Sequence, residues 1–155
     1  MDKKDIPHFT DSIAYSIEQI ARYLEINSKD FFEKFANDMT PEEFKTIDVI
    51  LTNPDICQRD LAKLILRDRI RTGRILNSLE EKGLIKRYSH TKNNRLVKKM
   101  EVTKKGQKRF DEITDIMQPY MATLREKFTT EQFIELRKLL ASLREALSDM
   151  VKVQV

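Results

Sequence analysis

Two short helices separated by a brief turn, and then a hairpin of two strands, follow one another in the middle of the chain. Hydrophobic spacing predicts a helix over residues 58–65 and a second over residues 69–82. Asp68 is placed to cap the second helix, and Gly83 can adopt the left-handed conformation that ends it. This order predicts a mainly α fold with a small β-hairpin wing, the winged helix-turn-helix.

Positive charge is concentrated in the same part of the chain. Residues 58–109 contain 17 Lys and Arg against 5 Asp and Glu, whereas the rest of the chain contains 12 against 20. A folded protein does not need this separation, and a surface of such charge favours an anionic polymer as its partner. The sequence therefore predicts binding to double-stranded DNA.

The composition favours one compact protein. At 155 residues the chain can bury a substantial core, and three Gly and four Pro are few for a β-rich or disordered protein. The longest apolar run is too short to span a membrane, and the N-terminus lacks the apolar segment of a signal peptide. One cysteine excludes an internal disulfide. We expect a cytoplasmic protein with no membrane partner.

Long amphipathic helices are predicted before this segment. Residues 9–36 form the first, with Thr10 as its cap. Its apolar positions recur at helical spacing: Ile13, Ile17, Ile20 and Leu24. A shorter helix is capped by Thr40, has Glu43 at the spacing of a capping box, and stops near Asn53.

The chain returns to long helices after the hairpin. In the last one, which begins at Thr129 or Thr130, apolar residues recur in steps of three and four: Phe133, Leu136, Leu140, Leu143, Leu147 and Met150. One small winged helix cannot bury all these faces, so we expect them to pack against a second copy of the chain. The predicted organisation is a helical dimerisation region, residues 1–36 and 107–155, around a DNA-binding domain over residues 37–106.

The second helix of the central pair has an apolar face and a basic face. The apolar face consists of Thr72, Ile75, Leu76 and Leu79. The other side carries Arg69, Arg71, Gly73, Arg74, Asn77 and Ser78. In a major groove, Arg can bind guanine and Asn adenine through two hydrogen bonds, while hydroxyls bind phosphates. Gly73 lowers helix stability by about 1 kcal/mol relative to Ala, which suggests close approach of the backbone to DNA. The alternative is a solvated arginine-rich face.

The hairpin is predicted to consist of strands over residues 85–89 and 96–103 around the polar loop 91–94. Arg95 follows the loop, where its guanidinium could enter the minor groove. Some cations of the strands only keep an edge strand soluble, but phosphate contacts are candidates at Lys86, Arg87, Lys92, Lys98 and Lys99. The residues expected to contact DNA are Arg69, Arg71, Thr72, Arg74, Asn77, Ser78, Arg95, Lys98 and Lys99.

Three motifs together resemble the MarR family of bacterial and archaeal transcriptional regulators. They are Asp-Leu-Ala at 60–62, Leu-Glu-Glu-Lys-Gly-Leu-Ile-Lys-Arg at 79–87 and Val-Thr-Lys-Lys-Gly at 102–106. The resemblance extends over about residues 41–109. It implies a homodimer with both termini in the interface and two winged helices that bind a palindromic operator. It also implies release by a small, often phenolic or anionic effector, or by cysteine oxidation.

Some positions depart from the family's pattern. The family's wing tip reads Asp-x-Arg, but this chain has Asn93, Asn94 and Arg95, so the arginine is kept and the carboxylate is not. When the family's pattern is aligned forward from Gly83, Arg95 falls at the wing tip. When it is aligned back from Thr103, the pattern is shifted by one residue, which predicts an insertion or bulge in the returning strand. Leu66 stands where a glycine is common in the turn between the paired helices.

Cys57 stands where the family has a serine or threonine that caps the first helix of the pair. The positive end of a helix dipole favours the oxidisable thiolate, so Cys57 is a candidate redox site. The favoured interpretation is an ordinary half-buried thiol that fills a small-residue position.

No spacing of His, Cys, Asp and Glu predicts a metal site, and no cofactor is expected. The effector-binding residues are unknown. Four aromatic residues could line a cleft for an effector, although core packing explains them equally well: Tyr15, Tyr23, Phe31 and Phe35.

Several classes of function are consistent with these features to different degrees. The favoured one is a homodimeric DNA-binding transcriptional regulator, a repressor released from a palindromic operator by a small effector. The alternatives are a ligand-independent architectural DNA-binding protein and a repressor controlled through oxidation of Cys57. A winged helix used only for protein contacts leaves the basic segment without a purpose. An enzyme is disfavoured, because the sequence has no phosphate-binding glycine loop, no nucleophile with a nearby base and no metal motif.

Overall fold

The computed structural model describes His8 and residues 12–151. Within this part of the chain the backbone forms six helices and one antiparallel pair of strands. In chain order they are α1 (Ile13–Phe35), α2 (Pro41–Thr52), α3 (Gln58–Leu64), α4 (Arg69–Glu81), β1 (Ile85–Lys92), β2 (Arg95–Val102), α5 (Lys104–Arg125) and α6 (Thr130–Met150). The mainly α fold with a β-hairpin wing is confirmed. Backbone contacts divide the chain into two compact units, one up to Pro41 and one from Glu42 onward.

In the first unit, α1 is amphipathic but buries little. Its cap is Ser12, whose side-chain oxygen accepts a hydrogen bond from the backbone N–H of Tyr15 at 3.1 Å. The predicted cap, Thr10, lies outside the described residues. Of the 23 residues of α1, all described, only Phe32 is buried. Ile20, on the predicted apolar face, is exposed. The single chain therefore leaves apolar surface of α1 uncovered.

The second unit has a closed hydrophobic core. Side chains of α2, α3, α4, both strands and the first half of α5 contribute to it: Ile47, Leu61, Leu76, Leu79, Ile85, Met100 and Ile113. The predicted apolar face of α4 is confirmed, since all four of its residues are buried. Phe44 of α2 stacks on Phe110 of α5, with 4.7 Å between the ring centroids. Removal of this apolar surface from water stabilises the unit.

The ends of α4 are set by the residues that the sequence indicates. Asp68 Oδ1 accepts a hydrogen bond from the backbone N–H of Arg71 at 2.7 Å. Gly83 has a φ of +72°, which a glycine adopts without strain after a helix. In the turn before α4, Leu66 has a φ of +53°, and a left-handed leucine costs roughly 1–2 kcal/mol. The turn therefore keeps the conformation that favours glycine, with some strain.

The wing is regular. β1 extends three residues beyond its predicted end, and β2 begins and ends one residue earlier than predicted. β1 and β2 pair residue by residue, from Ile85 opposite Val102 as far as the turn, with no unpaired residue. The predicted bulge in the returning strand is therefore wrong. Asn93 and Asn94, with φ of +51° and +60°, form a two-residue turn in which asparagine tolerates the left-handed backbone. Arg95 is the first residue after this turn.

The wing joins α5 at a close backbone contact. Gly106, in the first turn of α5, is buried, and a Cβ at this position would overlap the Leu84 carbonyl oxygen and lie 2.8 Å from Val102 Cγ1. Thr103 caps α5, because its Oγ1 accepts a hydrogen bond from the N–H of Gly106 at 3.0 Å. The same hydroxyl donates to the Gly83 oxygen at 2.7 Å. Only glycine fits at position 106.

α5 and α6 are long and mostly exposed. α5 continues through Pro119, and its buried positions lie in its first half. α6 is capped by Thr129, which exchanges reciprocal hydrogen bonds with Gln132 in a capping box. None of the 21 residues of α6, all of them described, is buried. Most of the predicted seam is thus exposed in the single chain: Leu140 at its middle is 49% exposed, while Phe133 and Leu143 are half-buried.

Candidate nucleic-acid interface

One side of α4 forms an exposed basic ridge. Arg69 and Arg74 are exposed, and neither side chain makes a hydrogen bond or ion pair with a residue that the structure describes. Gly73 lies one residue from Arg74, and the nearest atom that a Cβ there would meet is Gln58 Nε2, at 3.9 Å. The protein itself therefore leaves room for alanine. Internal packing does not explain a glycine in the middle of this helix.

Arg71 is held by a carboxylate at the start of α2. Its Nη2 lies 2.8 Å from Oε2 of Glu42, while Nη2 of Arg67 lies 2.9 Å from Oε1 of the same residue. Burial raises the pKa of Glu42, but the hydrogen bonds from Arg71 and Arg67 outweigh burial, and the pKa lies below its usual value. The Arg71 side chain is still 57% exposed. Glu42 therefore orients Arg71 without removing it from the surface.

Two hydroxyls predicted to contact DNA are used inside the protein. Thr72 is fully buried, and its Oγ1 donates to the backbone oxygen of Asp68 at 2.8 Å. Ser78 Oγ donates to Glu43 Oε1 at 2.6 Å. Glu43 is itself buried and accepts two hydrogen bonds from Nζ of Lys82, as a buried carboxylate requires. These contacts correct the prediction, since Thr72 has no surface to offer DNA and Ser78 is bound to Glu43.

A hydrogen-bond network joins α4 to the wing. Arg87, on β1, donates from Nη2 to Asn77 Oδ1 at 2.6 Å and to Glu80 Oε1 at 3.0 Å. Its Nε and its backbone N both donate to Oε2 of Glu80 at 3.1 Å. The hydrogen bond from Arg87 holds the pKa of Glu80 below its usual value. Arg87 is therefore bound to α4, and the phosphate contact that the sequence suggests for it is not available in this conformation.

The wing presents Arg95 and Lys98 but not Lys99. The first two are exposed, and neither side chain has a hydrogen-bond or ion-pair partner within the described part of the chain. The Lys99 side chain is only 12% exposed, and its Nζ lies 3.6 Å from Oδ1 of Asp55. Successive side chains of a strand point to opposite faces, so Lys98 and Lys99 cannot share one. The predicted phosphate contact of Lys99 is corrected accordingly.

A cleft of about 910 Å³ lies between α3, the first turns of α4 and the wing tip. Its lining has one carboxylate, Asp60, and six basic residues: Arg59, Lys63, Arg69, Lys92, Arg95 and Lys98. Like charges around a concave surface strengthen its potential for an anion. Arg59 and Lys63 are not among the predicted contacts, although their four-residue spacing on α3 is visible in the sequence.

Cys57 precedes α3 but does not cap it. Its side chain makes no capping hydrogen bond, and Sγ instead donates to Oδ2 of Asp60 at 3.1 Å. This hydrogen bond is the main reason why the pKa of Asp60 lies below its usual value. Cys57 therefore does not make the capping hydrogen bond that a serine or threonine makes at this position, because sulfur is a weak acceptor and the carboxylate within reach accepts from the thiol. The redox role stays a prediction.

The aromatic residues suggested for an effector cleft are spread along α1. Phe31 and Phe35 pack together with 5.3 Å between ring centroids. The Tyr15 hydroxyl accepts a hydrogen bond from Nε2 of Gln19 at 2.8 Å, and Tyr23 is exposed. The effector site stays a prediction.

The described residues contain neither a cluster of metal ligands nor a helix that could span a membrane. No group of His, Cys, Asp and Glu within them could hold a metal ion. None of the helices in that part of the chain is long and apolar enough to cross a membrane.

Known proteins provide an independent comparison. A sequence model of the MarR family matches residues 39–97, from just before α2 into β2. No curated protein matches the chain.

Solved structures of transcription regulators superpose on most of the chain. MepR of Staphylococcus aureus in complex with DNA is 24% identical, with a TM-score of 0.73 over 88% of this chain and 98% of that one. MepR in a DNA-binding conformation is 23% identical, with a TM-score of 0.76 over 88% and 99% of the two chains. The transcriptional regulator SlyA is 26% identical, with a TM-score of 0.74 over 89% and 95%.

Proposed function

We propose that this chain, a member of the MarR family of DNA-binding transcriptional regulators, is a homodimeric repressor that a small phenolic or anionic effector releases from a palindromic operator. The observation that carries the proposal is the exposed basic side formed by α4 and the wing. There the side chains of Arg69, Arg74, Arg95 and Lys98 have no intramolecular hydrogen-bond or ion-pair partner among the described residues. A repressor of this kind acts in the cytoplasm, where the DNA is.

We propose that α4 enters the major groove. Its apolar face is occupied by the core, so the side that bears Arg74 and Asn77, three residues apart, is the one available to base edges. Arg69 at the helix start is suited to a phosphate or a base, and Arg71 reaches DNA from its position on Glu42. Close approach at Gly73 would bring these side chains within reach of the bases.

The wing and the cleft supply the remaining proposed contacts. Arg95, the first residue after the turn, is placed to enter the minor groove, where a narrow groove attracts arginine. Lys98, Arg59 and Lys63 are proposed to contact phosphates, because they line the cleft that the DNA backbone would follow. Each phosphate neutralised in this way makes the affinity more dependent on salt.

The proposed dimer rests on the exposed apolar surface of α6 and α1. Large apolar side chains of α6 are uncovered in the single chain, among them Leu139, Leu140 and Leu147. Several large apolar side chains exposed along one helix indicate an interaction surface, and under a two-fold axis the same surface of the partner can cover them. The alternation of three and four residues fits helix-to-helix packing between copies.

In the proposed dimer, the distance between the two copies of α4 determines whether both can bind the operator. Two copies of α4 must meet two half-sites about 34–36 Å apart, one turn of the DNA helix. A ligand that changed the packing of the dimer helices would alter this spacing and lower the affinity. This is the physical basis that we propose for effector release.

Selection of genomic fragments on the purified protein, followed by footprinting, tests the proposal. We expect a discrete protected palindrome, from which phenolic carboxylates displace the protein. Arg74→Ala should cost about 1–3 kcal/mol on this site and little on random DNA. Arg22→Ala, which removes an arginine from α1, is the control and should change neither affinity.

Other results of these experiments would indicate a different function. Diffuse protection, with an equal loss on both DNAs for Arg74→Ala, would indicate an architectural DNA-binding protein. If no tested effector weakens operator binding, the proposed release by an effector is wrong, while the proposed repressor function remains.

A further inference from the structure

Arg87 of β1 links the wing to α4 through hydrogen bonds. Of its four hydrogen bonds to α4, Glu80 accepts three through both carboxylate oxygens, and Asn77 accepts the fourth at 2.6 Å. The Arg87 side chain is only 19% exposed. A guanidinium so enclosed and so bonded has one well-defined position, in contrast to the mobile cations that attract DNA from a surface.

The bond from Arg87 decides which way the amide of Asn77 faces. A guanidinium has donors and no acceptor, so the atom of Asn77 that faces it must be the carbonyl oxygen. The NH₂ group then lies on the other side of the amide. A half-turn of the amide would bring N–H groups against N–H groups and break the bond.

This orientation limits what Asn77 can offer to a base. Asn77 is exposed on α4, one turn from Gly73 and Arg74 and on the same side of the helix. Its oxygen is engaged by Arg87, so its outward groups are two N–H donors. In the major groove guanine presents two acceptors, O6 and N7, whereas adenine presents one acceptor and one donor. A fixed donor therefore favours guanine.

We propose that Arg87 is a positioning residue for base recognition: anchored by Glu80, it holds Asn77 as a hydrogen-bond donor that selects guanine in each half-site. This inference rests on the proposed function, because it requires α4 to lie in the major groove. It replaces the contact with adenine that the residue type alone suggests, in which Asn77 uses both its oxygen and its nitrogen.

The test compares base preferences of full-length variants by selection from randomised DNA. The wild type should prefer guanine at one position of each half-site by about tenfold or more, the range of a specific base contact. Asn77→Ala and Arg87→Met should each lose this preference, and the double variant should lose no more than either single one. Lys86→Met removes the same charge from the exposed neighbour and is the matched control. It should weaken binding to all sequences and leave the preference unchanged.

Two results would overturn the inference. One is an unchanged guanine preference in Arg87→Met with weaker binding to every DNA. This result would show that Arg87 only stabilises the wing or contacts a phosphate. The other is a preference for adenine at the position where Asn77→Ala acts.

A measurement on the free protein separates this inference from the proposed function. In NMR spectra, the side-chain NH₂ signals of Asn77 should shift in Glu80→Gln, which removes the carboxylate that anchors the guanidinium, and in Arg87→Lys, which removes the guanidinium itself. Lys86→Met should leave these signals unchanged. Arg87→Lys keeps the charge and serves where Arg87→Met does not fold. Unshifted Asn77 signals would overturn the inference. Shifted signals with no sequence-specific DNA binding by the wild type would defeat the proposed function and leave the amide orientation intact.

Discussion

α4 and α6 are both amphipathic helices, but only α4 has its apolar face covered within the chain. Four residues of α4 are buried, whereas none of the 21 residues of α6, all described, is buried. Burial of apolar surface contributes about 25 cal/mol per Å², so folding of the single chain stabilises α4, whereas the apolar side chains of α6 gain little of this stabilisation. Changes in the winged helix should therefore affect folding, and changes in α6 should affect assembly.

Leu140→Glu should give the largest effect, on α6. An unpaired charge buried in the proposed interface costs about 3–5 kcal/mol, so the dimer should dissociate. Leu140 is half exposed in the single chain, and the monomer should therefore remain helical. Sedimentation and circular dichroism measure the two properties. Ser142→Glu adds the same charge on another side of α6 and should stay dimeric. A stable Leu140→Glu dimer would place the interface elsewhere.

Gly106→Ala should destabilise the folded chain without changing the interface. The added methyl group would overlap the Leu84 carbonyl oxygen and crowd Val102, and overpacking costs about 1–3 kcal/mol. Collision with backbone, which cannot rotate away, places the loss at the upper end. Urea unfolding at several protein concentrations checks this. If the loss instead appears as weaker association of folded monomers, it would contradict the expectation that changes in the winged helix affect folding and changes in α6 affect assembly.

Gly73→Ala should separate folding from DNA binding within α4. Alanine is favoured over glycine in a helix by about 1 kcal/mol, and the nearest neighbour of a new Cβ is 3.9 Å away. The unfolding midpoint should rise while operator affinity falls, because the methyl group would hold the backbone away from DNA. Both are measured on one preparation. A more stable variant that binds the operator as tightly as the wild type would exclude close approach at this position.

Glu42→Gln should lower the unfolding free energy at neutral pH by up to about 1 kcal/mol, as for an exposed ion pair. The pKa of Glu42 is lowered in the folded protein from its ordinary value of 4.5. Its stabilisation is therefore present above that value and is lost as the pH falls through the folded-state pKa. Urea unfolding across this range should show the difference from wild type shrinking towards zero in acid. Glu81→Gln, at an exposed position of α4, is the control. A difference independent of pH would show that the Arg67 and Arg71 pairs contribute nothing.

Cys57→Ser should have the smallest effect. The thiol does not cap α3, and a serine hydroxyl can donate to Asp60 in its place, so stability should change by no more than about 0.5 kcal/mol. Operator affinity should be unchanged, and peroxide should affect both proteins alike. A wild type that alone loses the operator in peroxide and regains it with a thiol would establish redox control through Cys57.

The limits of α4 and the start of α6 could be predicted because they depend on neighbours within a few residues. Asp68 caps α4, Gly83 ends it, and Thr129 caps α6, each through groups close in sequence. The register of the wing does not follow from residues close in sequence, since alignments from the two ends of the hairpin differ by one residue. Pairing across the hairpin resolved them, because Asn93 and Asn94 both adopt left-handed conformations and close a tight turn.

The sequence by itself determined both ends of α4, the start of α6 and which helix faces are apolar, because backbone preferences and side-chain periodicity act over one or two turns. The tertiary structure decided which basic residues have partners. Glu42 meets Arg71 across 29 positions, and Arg87 of the wing meets Asn77 of α4. Hydrogen bonds form over about 3 Å of space whatever the distance in sequence. A count of arginines therefore predicts a DNA-binding face, and only the packed chain shows which guanidiniums are left for DNA.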